Sequence, residues 1–270
     1  MDISFEQLNE IDEILLQKGW DKITNNKGEA VNNLAFSLFE QVNNDEEFSL
    51  LKSLINRYFL CTDYDRYCFE IAKHIEDVFH GENIIIIPVS DGNRKIKSGH
   101  AISYDLTRFL NEDSFSEMLI QESLDSISKR INEFNVIVVD DFVGSGSQFR
   151  AFARKCAASY GLNTSNIYLY SIAMMVKARE RISNYCYAAT PMIEFSRALS
   201  DLSELQDVPD PISVYNRIEA RAKVGKNYRR GFLRSEALVT MKKTPNNTLP
   251  IFWCKHDQNG EIWPAIFPRG

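Results

Sequence analysis

What the sequence lacks narrows its reading first. No apolar run approaches the ~20 residues that a membrane-spanning helix needs, so no membrane partner is expected. No GxxxxGK[ST] occurs, which removes the phosphate cradle of a P-loop ATPase. The five cysteines (Cys61, Cys68, Cys156, Cys186 and Cys254) are odd in number and include no CxxC pair. Free thiols in a reducing compartment explain them better than a disulfide framework. Cys61, Cys68, His74 and His80 lie close together, but their spacing fits no common zinc pattern and Cys68 falls on an apolar helical stripe. Positive charge is also in short supply. Thirty-one Lys and Arg against 37 Asp and Glu leave a net charge of -6, which argues against nucleic-acid binding through bulk charge. Internal repeats and low-complexity linkers are missing too. Met1 is followed by acidic, polar residues rather than a secretory leader, so a cytoplasmic protein is expected.

What is present is unevenly arranged. Residues 1–80 hold 16 acidic side chains against 7 basic ones, whereas residues 217–243 hold 9 basic against 2 acidic. The second segment suits a phosphate-rich ligand or an acidic partner. Hydrophobic residues make up 44% of the 270, enough for a sizeable core. Four apolar stripes at helical spacing occupy the first eighty residues: Phe5 to Leu15, Val31 to Val42, Phe48 to Tyr58 and Tyr64 to Val78. The pattern changes at Gly81. "NIIIIPV" (83–89), "NVIVV" (135–139) and "NIYLYSIAMM" (166–175) are short and apolar on both faces, as in the central strands of a parallel sheet. A helix is expected around Ile102, Leu106 and Phe109, another over 114–131, and a third from Phe149 to Tyr160 ending at Gly161. "YCYAA" (185–189) and "EALVTM" (236–241) are further strand candidates, and 211–224 a further helix. Alternating strands and helices indicate an α/β fold with a parallel sheet. The expected division is an N-terminal helical region, 1–80, and an α/β domain, 81–270, with an irregular C-terminal cap from about 190.

One stretch carries chemistry. "VIVVDDFVGSGSQF" (136–149) runs from a buried strand through Asp140 and Asp141 into a glycine–serine turn and a helix start. In open parallel sheets, ligands bind beyond the carboxyl ends of the strands. A helix start offers unpaired N–H groups and partial positive charge, and glycines let the backbone close around an anion. Carboxylates would repel that anion in contact, yet they suit sugar hydroxyls, or Mg²⁺ held through water, a few ångströms away. A diol beside a phosphate describes a ribose 5-phosphate. Other readings of paired acids compete. A Walker B strand lacks its P-loop here, a response-regulator pocket lacks a Gly/Ser loop, and GSGSQF is not GxGxxG because Phe149 fills the last glycine position. Two acids capping a loop is the plain alternative.

These residues resemble the ribose-phosphate signature of type I phosphoribosyltransferases: four hydrophobic residues, two acids, two hydrophobic residues, then a short Thr/Ser/Gly loop. Gly144 stands where Thr is usual, and Gln148 replaces a closing Thr or Ser. The resemblance implies a parallel-sheet phosphoribosyltransferase-type (Rossmann-like) core. Asp140 and Asp141 become the candidate catalytic pair on the ribose hydroxyls. Val143, Gly144, Ser145, Gly146, Ser147 and Gln148 become the 5-phosphate loop. The implied ligand is phosphoribosyl pyrophosphate or a nucleotide, with Mg²⁺ carried by the ligand rather than by direct protein contacts. Ser90, Asp91, Gly92, Asn93, Arg94 and Lys95 occupy the place of the family's pyrophosphate loop, and a solvated loop is the alternative for them. Residues 110–134, where the family carries a flexible catalytic hood, are acidic in this chain.

More narrowly, the helical N-terminus, "DDFVGSGSQ" and "TPNNTLPIFW" are similar to phosphoribosyltransferase-like effector domains of bacterial conflict systems, including retrons and antiphage defence. That likeness implies a toxin restrained by a reverse transcriptase–nucleic acid complex or an ATPase partner. It puts Asn246, Asn247 and Trp253 beside a base, with an ordinary turn and core packing as their alternatives. An active transferase or nucleotide-modifying effector and a non-catalytic nucleotide-sensing or docking subunit both remain open.

Overall fold

A computed structural model describes residues 3–89, 98–201 and 208–269. In chain order the helices are α1 (Phe5–Gln17), α2 (Val31–Phe39), α3 (Asp45–Asn56), α4 (Tyr64–Val78), α5 (Ser98–Thr107), α6 (Ser147–Tyr160), α7 (Val176–Ile182) and α8 (Pro211–Glu219). The strands are β1 (Phe59–Leu60), β2 (Asn83–Pro88), β3 (Glu117–Ile120), β4 (Asn135–Val143), β5 (Ile167–Met175), β6 (Ala188–Phe195) and β7 (Val239–Thr240). The chain divides into two compact units. One comprises Met1–Cys61 with Ser196–Gly270, and the other is Thr62–Phe195.

The continuous unit holds a five-stranded, all-parallel sheet in the order β3-β2-β4-β5-β6. Ile84 to Ile87 and Val136 to Val139 are at most 1% exposed, so both faces of the central strands are covered, as their unbroken apolar runs predict. β4 is longer than expected. It continues through Asp140 and Asp141 to Val143, pairing with β5 at Asp140↔Ser171 and Phe142↔Ala173. α4 belongs to this unit, burying Cys68, Ile71, Ala72 and Ile75 and packing on α5 and β5. Periodicity alone shows a boundary near residue 80, because it registers where helices stop and strands begin. Packing sets the boundary at 61/62.

Two further expectations are corrected. Residues 114–131 form no long helix; they hold the edge strand β3, parallel to β2, among single 3-10 turns. Phe115, Met118 and Leu119 satisfy a helical spacing, but an apolar group this short does not fix its period. The strand expected at 185–189 begins only at Ala188 and runs on to Phe195.

The discontinuous unit joins α1–α3 to the C-terminal segment. Ser4 and Gln7 form a reciprocal capping box that starts α1, and Asn44 caps α3. The buried carboxylate of Glu47 on α3 takes two bonds from the Arg221 guanidinium, at 2.6 and 3.2 Å. Trp20, Tyr58, Phe252 and Phe267 pack ring against ring at the centre of its core. β1 pairs with β7 in parallel over two residues, so the expected strand at 236–241 shrinks to Val239–Thr240. Much of the rest is irregular. Arg230, Leu233, Arg234 and Glu236 have φ between 51 and 56°, in the left-handed region that side chains disfavour. The Glu236 carboxylate holds this loop. It accepts from the Leu199 and Ser200 amides, the Ser200 hydroxyl and the Arg230 guanidinium.

Two expectations test these cores. Burial pushes the Cys156 and Cys254 thiols up to about 12 and Cys186 up to about 11, and Cys68 is fully buried. Iodoacetamide at neutral pH should therefore label Cys61 within minutes and spare the other four until the protein unfolds, as read by intact mass. Gly231 has φ 79°, and a Cβ there would overlap the Asn247 carbonyl oxygen. Gly231→Ala should cost roughly 3 kcal/mol or more in urea denaturation, since strain and overlap add.

Candidate functional site

The site grows out of β4. Side chains of successive strand residues leave on opposite faces, so Asp140 and Asp141 diverge from one backbone. Both are buried, at 7% and 6% exposure. Their conformation is fixed partly by the chain itself, because the Asp141 amide donates to Asp140 Oδ1 at 3.0 Å. Asp140 stands in register with Ser171 on β5, whose hydroxyl is completely buried.

Beyond Val143 the chain turns at once into α6. Gly146 caps the helix in the left-handed region, with φ 71° and ψ -1°. A Cβ there would stand 2.6 Å from Ile182 Cγ2 and 3.3 Å from the Ala178 carbonyl oxygen, so glycine is required by both conformation and space. The Ser145 and Ser147 hydroxyls lie 2.9 Å apart and bond to each other, and the Ser147 amide points at Ser145 Oγ at 3.4 Å. Gly144 and Ser145 are buried, Ser147 half-buried and Gln148 exposed. α6 spans 14 residues, so its first turn presents free N–H groups and the positive end of a full helix dipole. Arg150, one turn in, lies over the Tyr185 ring instead of facing the turn.

α5 reaches the same end of the sheet. A Cβ on Gly99 would come within 3.2 Å of Val139 O and Val89 N, so this glycine lets the helix start lie directly on the strands. α5 carries Asp105, also buried. Tyr64, the first residue of α4, faces the carboxylates. Burial, then Asp141, Cys68, Asp105 and Asp140, raise its phenol well above the ordinary value. Tyr64 and Asp105 are the residues that sequence reasoning missed. Tyr64 reads as part of an apolar stripe, and Asp105 as a solvated position on a helix.

The turn and the acid pair predicted from sequence are thus brought together by β4 and α6. Ser90, Asp91, Gly92, Asn93, Arg94 and Lys95 lie outside the described residues. Asn246, Asn247 and Trp253 belong to the other unit and have internal work there. Asn247 Nδ2 donates to Phe232 O and Ser235 Oγ, the Asn246 carbonyl accepts from the Phe232 amide, and Trp253 Nε1 donates to Thr248 O.

A doubly covered parallel sheet with paired acids running into a helix-capping turn is a phosphoribosyltransferase-type core. The chain belongs to the PRTase-CE family, whose model matches residues 31–269. Solved structures that resemble it include an adenine phosphoribosyltransferase (APRTase) from Giardia lamblia complexed with 9-deazaadenine, at 15% identity over 49% of this chain and 79% of that one, TM-score 0.33. A hypothetical protein from Neisseria gonorrhoeae with bound ppGpp matches at 15% over 60% and 93%, TM-score 0.34. A hypoxanthine phosphoribosyltransferase from Staphylococcus aureus matches at 12% over 55% and 84%, TM-score 0.33. No curated protein sequence matches.

The tight turn yields its own expectation. Gly146→Ala should destabilise the chain by about 2–4 kcal/mol in urea unfolding, combining a left-handed alanine with overlap at Ile182.

Proposed function

We propose that the Thr62–Phe195 unit binds a ribose 5-phosphate ligand, phosphoribosyl pyrophosphate or a nucleotide. The observation that carries this reading is the direct passage of one strand from the buried Asp140–Asp141 pair into the Gly146 turn at the head of α6. In this reading the turn, Val143 to Gln148, takes the 5-phosphate through backbone N–H groups and the serine hydroxyls. Asp140 and Asp141 accept hydrogen bonds from the ribose 2′- and 3′-hydroxyls. The donor chemistry suits Mg²⁺ arriving on the ligand, since oxygen-rich carboxylates reach it through water and need not bind it directly. The metal supplies charge neutralisation to a departing pyrophosphate.

If the site turns over, an acceptor nitrogen or oxygen forms a bond to the anomeric carbon while the bond from that carbon to pyrophosphate, or to the base of a nucleotide, breaks and the leaving group takes the bonding pair. Positive charge then develops on the ribose ring, and in this reading the carboxylates on the ribose hydroxyls stabilise it. The resemblance to bacterial conflict effectors extends the proposal to a toxin in antiphage defence, held by a partner protein or nucleic acid. A non-catalytic sensor would use the same contacts without turnover.

Calorimetry with phosphoribosyl pyrophosphate and Mg²⁺ tests the binding. Asp141→Asn should weaken it roughly 10- to 100-fold, the equivalent of one charge-assisted hydrogen bond of about 1.5–3 kcal/mol. Asp140→Asn should behave alike. Pyrophosphate release across purine, pyrimidine and nucleic-acid acceptors separates transferase from sensor. Absence of binding in the unaltered protein sinks the reading.

A further inference from the structure

The discontinuous unit contains a cavity of about 290 Å³ that the ribose-phosphate reading does not use. Its wall is unusual in charge. Arg229, Arg230 and Arg234 line it, with one carboxylate, Glu219, and the amide side chains of Asn216 and Gln258. Arg230 is already committed, because its guanidinium pairs with Glu236 at 3.1 Å. Among the described residues, Arg229 and Arg234 have no carboxylate within ion-pair distance. Two guanidiniums therefore remain to meet an anion.

The backbone around them is unusual, although Arg229 itself has an ordinary φ of -57°. Arg230 and Arg234 both adopt the left-handed conformation, which non-glycine residues avoid unless the surroundings impose it. At Arg230 the Glu236 carboxylate accepts from the guanidinium and the Glu236 amide donates to the Arg230 carbonyl at 2.9 Å; the Arg234 amide donates to Gly231 O at 2.9 Å. Glu219 forms the floor. It is 4% exposed, and its Oε1 accepts the Arg230 amide at 2.8 Å. Burial raises its pKa, partly offset by that amide, Tyr215, Arg229 and Arg230. Gln258 donates its amide N–H to Ala222 O at 2.7 Å, leaving its side-chain oxygen for another donor.

We infer that this cavity binds a small phosphate monoester of about nucleoside-monophosphate size, with Arg229 and Arg234 on the phosphate. Two guanidinium forks match a dianionic phosphate in charge and in planar, bidentate geometry. The Glu219 floor repels a second anionic group and favours a hydrogen-bond donor, so the rest of the ligand is neutral and carries N–H or O–H groups. The volume lies at the small end of ligand cavities, enough for a mononucleotide and too little for a folded peptide. The inference is independent of the ribose-phosphate site, since all its residues belong to the other unit.

Calorimetry with AMP and GMP, without Mg²⁺, tests it in four proteins: the unaltered chain, Asp140→Asn with Asp141→Asn, Arg229→Gln with Arg234→Gln, and all these substitutions together. The expected result is a binding event that persists in the aspartate variant and weakens at least tenfold when Arg229→Gln and Arg234→Gln are added to that variant. Phosphoribosyl pyrophosphate binding with Mg²⁺ should be unchanged in the arginine variant. Arg229 and Arg234 are exposed, so that variant should keep the melting temperature within a few degrees. Any of three results overturns the inference: no mononucleotide binding to the unaltered chain, equal binding by the aspartate variant once the arginine substitutions are added, or displacement of AMP by polyglutamate at the same site, which would mark an acidic protein partner. Loss of phosphoribosyl pyrophosphate binding alone would strike the proposed function and leave this cavity untouched.

Discussion

The rest of the continuous unit follows from one constraint: β4 is apolar on both faces until its last turn of sequence. A strand covered by helices on two sides accepts no unpaired polar side chain along its length. Polar chemistry is therefore confined to where the strand leaves the layers. Asp140 and Asp141 occupy that place, and the Gly146 turn follows within five residues. α5 approaches through Gly99 and α4 supplies Tyr64, so three helices converge on the end of a single strand. The acids are held by the sheet and the glycine–serine turn by α6, all on one short segment.

Much of this was legible in the residues. β2, β4 and β5 announce themselves as short β-branched runs without polar alternation, and the order acid, acid, turn, helix is local in sequence. What escaped depends on distant contacts. β3 is an edge strand of four residues whose apolar spacing mimics a helix. β1 and β7 pair over two residues across about 180 positions of chain, a match that no local pattern encodes. Asp105 reads as an ordinary helical carboxylate until the Gly99 contact brings α5 onto β4. Membership of the units was hidden for the same reason. α4 has the same kind of stripe as α1, α2 and α3, and only its packing partners distinguish it.

The two units stabilise their polar groups by different means. In the sheet unit, backbone and turn geometry does the work, with Asp141 N–H on Asp140 and Ser145 on Ser147. In the other, buried carboxylates organise irregular chain. Glu47 anchors Arg221, and Glu236 gathers four donors from two separate segments. Buried ion pairs of this kind contribute little net stability compared with apolar packing, but they are costly to break on one side. They define one arrangement of a segment that has few regular hydrogen bonds of its own.

The discontinuity of that unit bears on how the chain is made. Trp20 and Tyr58 wait for Phe252 and Phe267 to complete their core, whereas every strand of the parallel sheet is present once Phe195 has emerged. At about 5–20 residues per second of synthesis, the apolar faces of α1 to α3 stay without their C-terminal partners for roughly 10–40 s. The sheet unit, complete at Phe195, has the last ~70 residues of synthesis, roughly 4–14 s, in which to fold on the ribosome before that core can close. The apolar faces of α1 to α3 stay uncovered meanwhile, and any interruption of synthesis after the sheet is complete releases a chain whose Asp140–Gly146 strand end is built but whose other core is not.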